Sequence, residues 1–151
     1  MKIIKREGFT LIEVLLVIAI LAILAAIVII AINPAKQFGE AQNADRRSDV
    51  SSILNAVQQY AIDNQGSYPS DIPWGEECLI DGTDICRSEM SCDGVSLDDL
   101  ITNEKYLTEI PTDPTISSYE LTGYKIFMNT AGRIGVCAPG AYGDYQITIV
   151  Q

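Results

Sequence analysis

One acidic residue, Glu13, interrupts the most apolar segment of the chain, and it is the first residue whose position suggests chemistry. Residues 14–32 are all apolar, and between Phe9 and Glu13 only Thr10 is polar. An ionised carboxylate within an apolar transmembrane helix costs several kcal/mol unless a partner neutralises it. We therefore expect Glu13 to pair with a cation. The alternative is that it lies at the lipid headgroup boundary and stays hydrated.

The apolar run follows a short basic segment that contains Lys2, Lys5 and Arg6. A run of roughly 20 apolar residues is long enough to cross a bilayer as a helix. Cationic residues before such a run favour a cytoplasmic N-terminus, which leaves the rest of the chain outside. The alanines of the run never lie two residues apart, so the pattern lacks the small-residue site at which secretory signal peptides are cleaved.

Four cysteines follow the apolar run, namely Cys78, Cys86, Cys92 and Cys137. An even number of cysteines in an exported segment indicates disulfides, whereas four reduced thiols would require a cytosolic protein. No two of them form a C-x-x-C pair, which disfavours a zinc or redox site. Three pairings are open, and we favour a bridge from Cys78 to Cys86 or Cys92. The remaining cysteine is then joined to Cys137.

Composition argues against several classes of function. The chain has 20 Asp and Glu residues against 10 Lys and Arg, which disfavours a surface for nucleic acid. It has no histidine, the commonest general base and zinc ligand. No nucleophile motif, phosphate-binding glycine loop or metal-spaced motif is present. We therefore expect neither an enzyme nor a cofactor.

Two clusters of charged residues are better explained as ordinary surface. Lys36, Arg46 and Arg47 are expected to form ion pairs with acidic neighbours along one helix rather than to bind DNA. Acidic residues between positions 76 and 93 fit no EF-hand spacing, and we expect a solvated loop without a metal. The cluster comprises Glu76, Glu77, Asp81, Asp84 and Asp93.

The segment after the apolar run predicts a second helical region at about residues 35–65. Pro34 and Gly39 predict a kink or a locally unwound segment at its start. Apolar residues recur there at offsets of three and four, and a Gly66 turn predicts its end. The repeating residues are Val50, Ile53, Leu54, Val57, Tyr60 and Ala61.

The last third of the chain predicts a small antiparallel sheet. Residues 124–129 and 133–137 flank a Thr-Ala-Gly turn and predict a hairpin, and residues 144–150 alternate as a further strand. Residues 96–103 predict a short capped helix. The acidic stretch at residues 74–94 predicts a surface loop.

The N-terminal residues 5–15, Lys-Arg-Glu-Gly-Phe-Thr-Leu-Ile-Glu-Val-Leu, resemble the class III signal of type IV pilins and of type II secretion pseudopilins. Residues 64–69 and 106–114 also resemble motifs of this family. The resemblance implies cleavage between Gly8 and Phe9 by a prepilin peptidase that also methylates the new Phe9 amine. In a filament, that amine is then expected to meet the Glu13 carboxylate of a neighbouring subunit.

The family resemblance also implies an α+β, pilin-like fold in which a long N-terminal helix packs on a small antiparallel sheet with disulfide-stapled loops. It divides the chain into a leader (1–8), a filament-core helix (9–32) and a head (33–151). The head comprises a helix at 35–65, a loop at 66–95 and a β-rich part at 96–151.

A structural subunit of a type IV pilus-like filament is the function that this resemblance implies. Its partners would be other copies, other pilin-like subunits, the prepilin peptidase and methyltransferase, and an inner-membrane assembly platform. It would reside in the inner membrane before assembly and then in a cell-surface or periplasmic filament. The alternatives are a type II secretion pseudopilin and a membrane-anchored, monomeric, extracytoplasmic binding module.

Overall fold

The computed structural model describes residues 8–69, 72–88 and 92–151. The predicted leader residues 1–7 lie outside the described part. The chain forms two compact units, Met1–Phe38 and Gly39–Gln151. The division falls within the second helix, so each unit is described by itself.

The first unit contains helix α1, Leu11–Ile32, whose 22 residues are apolar apart from Glu13. The helix ends at Asn33, which has left-handed backbone angles (φ 47°, ψ 77°). Helix α2, Pro34–Asp63, begins at the next residue. Proline suits the first position of a helix because its missing N–H would have no partner there. The helical interruption that the sequence predicts is thus placed at Asn33, and Gly39 lies inside α2.

Helix α2 supplies the main core element of the second unit. The predicted apolar stripe is confirmed, because Val50, Ile53, Leu54, Val57 and Ala61 are all buried. The helix ends where the sequence predicts, since Gln65 and Gly66 both take positive φ angles (58° and 88°). The Gly66 N–H then bonds the carbonyl of Ala61. Burial of this one-sided stripe is what holds α2 in place.

Four antiparallel strands form the sheet in the order β1-β2-β3-β4. They are Thr83–Cys86, Leu121–Met128, Ile134–Ala138 and Ile147–Val150. The predicted hairpin is confirmed as β2 and β3, joined through Gly132 at φ 74°. The last strand is confirmed but starts at Ile147, three residues later than predicted. The chain is therefore an α+β, pilin-like fold, with its larger hydrophobic core between α2 and the sheet and a smaller cluster of Cys78, Phe127 and Cys137.

The surface loop predicted at residues 74–94 is wrong, because this stretch contains α3, Cys78–Asp81, and β1. Both elements are only four residues long, too short to show a periodic pattern. Ile85 of β1 is fully buried in the core, although the charged Asp84 precedes it. The short helix predicted at residues 96–103 instead forms two 3-10 helices, Asp98–Leu100 and Thr102–Glu104, and Asn103 within the second takes a left-handed conformation.

The favoured disulfide pairing is also wrong, because Cys78 bonds Cys137 and Cys86 bonds Cys92. Helix α3 lies against β2 and β3, which brings the Cys78 and Cys137 Cα atoms to 6.1 Å. Val95 pairs with Ile85 in an isolated β-bridge, and this return of the chain brings Cys92 back to Cys86. Tertiary packing on the sheet, rather than closeness in sequence, therefore selects the partner of Cys78.

The two bridges should contribute unequally to stability. They close chain segments of 59 and 6 residues, and a disulfide restricts the unfolded chain more when its loop is longer. Replacing both Cys78 and Cys137 by serine should lower the free energy of unfolding by about 2 kcal/mol more than the matched replacement of Cys86 and Cys92. Chemical denaturation of the full chain in detergent measures the difference. Equal losses from the two double variants would contradict this ranking.

Candidate functional site

The first candidate site is the start of α1, where Thr10 and Glu13 form a capping box. Thr10 is the N-cap residue, with extended backbone angles (φ −79°, ψ 151°). Its hydroxyl oxygen accepts a hydrogen bond from the Glu13 N–H at 3.3 Å. In return, Glu13 Oε2 accepts from the Thr10 N–H and from the Thr10 hydroxyl, each at 2.8 Å. The spacing Thr-x-x-Glu favours this arrangement at a helix N-terminus.

This capping box fixes the position of the Glu13 carboxylate within its own chain. Both bonds from Thr10 end on Oε2, and the negative charge lies in the first turn, where the helix dipole favours it. Sequence reasoning identified Glu13 but missed Thr10 as its local partner. The signal was present, because a threonine three residues before a glutamate at the start of an apolar run is a recognised capping pattern.

The apolar surface of α1 is entirely exposed in the isolated chain, since none of its residues is buried. Phe9, which precedes it, is 87% exposed. By length and composition, α1 is the one helix of the described residues that can cross a membrane. A helix that is apolar on all sides is stable only where lipid or other apolar helices surround it. Gly8, Phe9 and Glu13 thus lie together at the start of a helix that needs an apolar environment.

A second notable site is a buried polar network in the head, centred on Arg46. The Arg46 side chain is 1% exposed and forms a bidentate ion pair with Asp113. Nε lies 2.6 Å from Oδ2, and Nη2 lies 3.0 Å from Oδ1. The predicted pairing of Arg46 with acidic neighbours on its own helix is therefore wrong. Its partner lies 67 residues away because α2 packs against the loop that precedes β2.

Asn43 extends this network to a second loop. Its amide donates to the Tyr142 carbonyl at 3.0 Å, and its carbonyl oxygen accepts from the Tyr142 N–H at 2.7 Å. The same oxygen accepts from Arg46 Nη1 at 3.1 Å. Gly39 lies against the Tyr142 ring, where an added Cβ would come within 2.2 Å of Cγ. Gly39, Asn43 and Arg46 thus join one face of α2 to two separate loops.

The charge of Asp113 is stabilised in the folded state. Burial raises its pKa, but hydrogen bonds from Arg46 and from the Thr115 hydroxyl and N–H outweigh burial and hold the pKa below its ordinary value. The hydrogen bonds that Arg46 donates to Asp113 in turn raise the pKa of Arg46. Every buried side-chain polar atom of the described residues has a hydrogen-bond partner. This network therefore fixes α2 to the two loops that contain Asp113 and Tyr142.

The acidic residues at 76–93 do not converge on a metal site within the described part of the chain. Asp81 instead accepts hydrogen bonds from the N–H groups of Glu76 and Glu77, at 3.1 and 3.4 Å. Asp84 lies 3.7 Å from Lys125 Nζ. These contacts order the segment around α3.

Comparison with known proteins identifies the class of the N-terminal segment. Residues 4–32 match the family model described as the prokaryotic N-terminal methylation motif, a match that includes Gly8, Phe9 and Glu13. The N-terminal segment is thus that of a type IV pilin-like or pseudopilin-like precursor, and its motif and apolar helix fit a membrane-anchored protein that a peptidase processes. No curated protein and no solved structure matches the chain.

Proposed function

We propose that this protein is a structural subunit of an extracytoplasmic, type IV pilus-like filament, and that subunits join through α1. The observation that carries the proposal is the complete exposure of a 22-residue apolar helix that bears one carboxylate at its start. The head has a core of its own between α2 and the sheet, so α1 is not needed to complete it. The helix is therefore available first to lipid and then to other copies.

Removal of residues 1–8 would create the cation that Glu13 requires. The new Phe9 amine is positive, and it lies four residues before Glu13. In a filament, the amine of an incoming subunit would meet the Glu13 carboxylate of its neighbour within an apolar core. Either charge alone would be costly there, whereas the pair neutralises both. Because Thr10 bonds Oε2, the carboxylate is already oriented before the amine arrives.

The same N-terminal motif implies the route by which the subunit is made. The precursor would span the inner membrane through residues 9–32, with the head, residues 33–151, outside. The prepilin peptidase and methyltransferase would act at Gly8 and Phe9. An inner-membrane assembly platform would then add the subunit to a cell-surface or periplasmic filament with other copies or other pilin-like subunits.

A type II secretion pseudopilin is the second candidate, because the matched motif occupies the same N-terminal position in that class. In that case the filament would be a short periplasmic one. A retraction ATPase encoded beside the gene favours a pilus. An outer-membrane secretin encoded beside several minor pseudopilins favours secretion.

Processing after Gly8 is the most direct test of the proposed class. Mass spectrometry of membrane-associated protein should show a mature N-terminus at Phe9 that carries a methyl group. Gly8→Leu should block cleavage, because a bulky residue would not fit a site that takes glycine. Leu11→Ala leaves the junction unchanged and serves as the matched control. An uncleaved wild-type chain would favour the monomeric anchor, and a mature start beyond Ile32 would contradict the filament.

A further inference from the structure

The outer edge of strand β4 presents backbone groups without partners in the described part of the chain. Ile134 and Gln151 exchange both of their backbone hydrogen bonds, which sets the register of β3 against β4. In an antiparallel ladder, alternate residues point their N–H and C=O groups away from the partner strand. By this alternation, the N–H and C=O of Thr148 and Val150 point away from β3. They face the free edge of the sheet.

The opposite edge of the sheet is closed, which shows that the open edge is specific to β4. Strand β1 pairs with β2 on one side. On its other side it forms an isolated β-bridge with Val95, which follows the Cys86–Cys92 disulfide in the chain. The Val95 N–H donates to the Asp84 carbonyl at 2.9 Å, and the Cys86 N–H donates to the Val95 carbonyl at 3.0 Å. Only β4 therefore remains available among the described strands.

Strand β4, although only four residues long, also lacks the charges and prolines that commonly prevent an edge from pairing. Its sequence, Ile-Thr-Ile-Val, contains no charge and no proline, and three of its four residues are apolar. Sheet edges that stay free in solution normally carry lysine, proline or a bulge, because an uncharged edge pairs with any extended segment. The composition of β4 is thus typical of a strand that pairs on both of its edges.

A groove beside this edge indicates the chemistry of that partner. It has a volume of about 350 Å³ and lies between α3 and β4 on the outer face of the sheet. Its lining is apolar at Leu79, Phe127 and Val150 and acidic at Glu76 and Glu77. The Phe127 ring packs directly on Gly135, where an added Cβ would overlap the ring. Both glutamates are exposed, and neither carboxylate forms a hydrogen bond or ion pair within the described residues.

We propose that the β4 edge and this groove form a docking site for an extended, basic segment of another protein. The segment would add a fifth strand antiparallel to β4, and its alternate lysine or arginine side chains would reach across β4 towards Glu76 and Glu77. Strand addition of this kind takes its affinity from main-chain hydrogen bonds and its specificity from alternate side chains. A second copy of this chain fits poorly, because the chain has a net charge of −10. The site is independent of α1 and of filament formation.

A synthetic ten-residue peptide of alternating valine and lysine is the probe, titrated against the full-length protein in detergent and followed by fluorescence anisotropy. The matched control peptide has the same side chains but carries N-methyl groups on alternate backbone amides, so that it cannot pair with a strand. A third peptide replaces each lysine by glutamate. We expect the first peptide to bind, and each of the other two to bind at least roughly tenfold more weakly.

Two protein variants locate the binding on the chain. Thr148→Pro removes one outward N–H and no hydrogen bond to β3, so it should weaken binding roughly tenfold without shifting thermal unfolding. The matched variant Thr148→Val keeps the N–H and should bind normally. Glu76→Gln combined with Glu77→Gln should abolish the preference for lysine over glutamate peptides. Equal binding of the N-methylated peptide would overturn the proposal, and so would β4-dependent dimerisation of the protein without peptide binding.

Discussion

Replacement of Glu13 by alanine is expected to abolish or strongly reduce filaments while leaving expression, membrane insertion and cleavage near normal. The change removes a costly acid from an apolar segment, so insertion should become easier. In assembly, however, the Phe9 amine of each incoming subunit would lose its partner. Leaving one charge of a buried pair unpaired costs about 3 to 5 kcal/mol, and the loss recurs at every subunit. Shearing of cells followed by electron microscopy measures filament yield.

Two matched variants separate charge from packing at this position. Glu13→Gln keeps the shape of the side chain and can still accept a hydrogen bond from Thr10, but it should fail as alanine does if the charge is required. Leu16→Ala shortens an apolar side chain one turn further along α1 and should retain cleavage and most filaments. Wild-type filament yield from Glu13→Ala as the only copy would refute the pairing.

Replacement of Arg46 by alanine should strongly destabilise the head. It would leave the Asp113 carboxylate buried without its cation and remove the hydrogen bond to Asn43. We expect the free energy of unfolding to fall by about 3 to 5 kcal/mol. Arg47→Ala, at the next residue, is the matched control. Arg47 is exposed, and its guanidinium lies over the Tyr145 ring at 5.9 Å from the ring centroid, so its loss should cost below about 1 kcal/mol.

The same ion pair predicts how stability depends on pH. Because the folded state holds the pKa of Asp113 below its ordinary value, its contribution is fully present above the unfolded pKa, about 3.9, and is lost as pH falls through the folded pKa. The wild-type protein should therefore lose stability below about pH 4 more steeply than Arg46→Ala. Denaturant titrations at a series of pH values measure both slopes, and parallel slopes would contradict this role for Asp113.

Apolar periodicity and turn glycines in the sequence were sufficient to predict the main elements of the fold. The apolar stripe of α2, the Gly66 turn at its end and the hairpin at Gly132 were predictable, because each rests on a local pattern of side chains or on a positive φ. The α+β class follows from these elements. The position of Glu13 in the apolar run likewise identified the candidate site before any geometry was known.

Contacts between distant residues account for what the sequence did not predict. The partner of Cys78 depends on α3 lying on the sheet, and the partner of Arg46 depends on a loop 67 residues away. Neither contact produces a periodic pattern in the sequence. For Arg46, the acidic residues close to it on the same helix were also plausible partners. The strand β1 was missed because four residues that include Asp84 resemble loop composition. Only the Thr10 cap was missed despite a local signal.

The network around Asn43 has a consequence for how the head folds. Asn43 bonds Tyr142 across 99 residues of chain, and Arg46 bonds Asp113 across 67. Folding is slow when contacts join residues distant in sequence, because long loops must close before any contact forms. During synthesis, α2 would be made and exported long before the loop at residue 142 exists. In the proposed membrane topology, the head would therefore cross the membrane as an unfolded chain and acquire its core on the outer side.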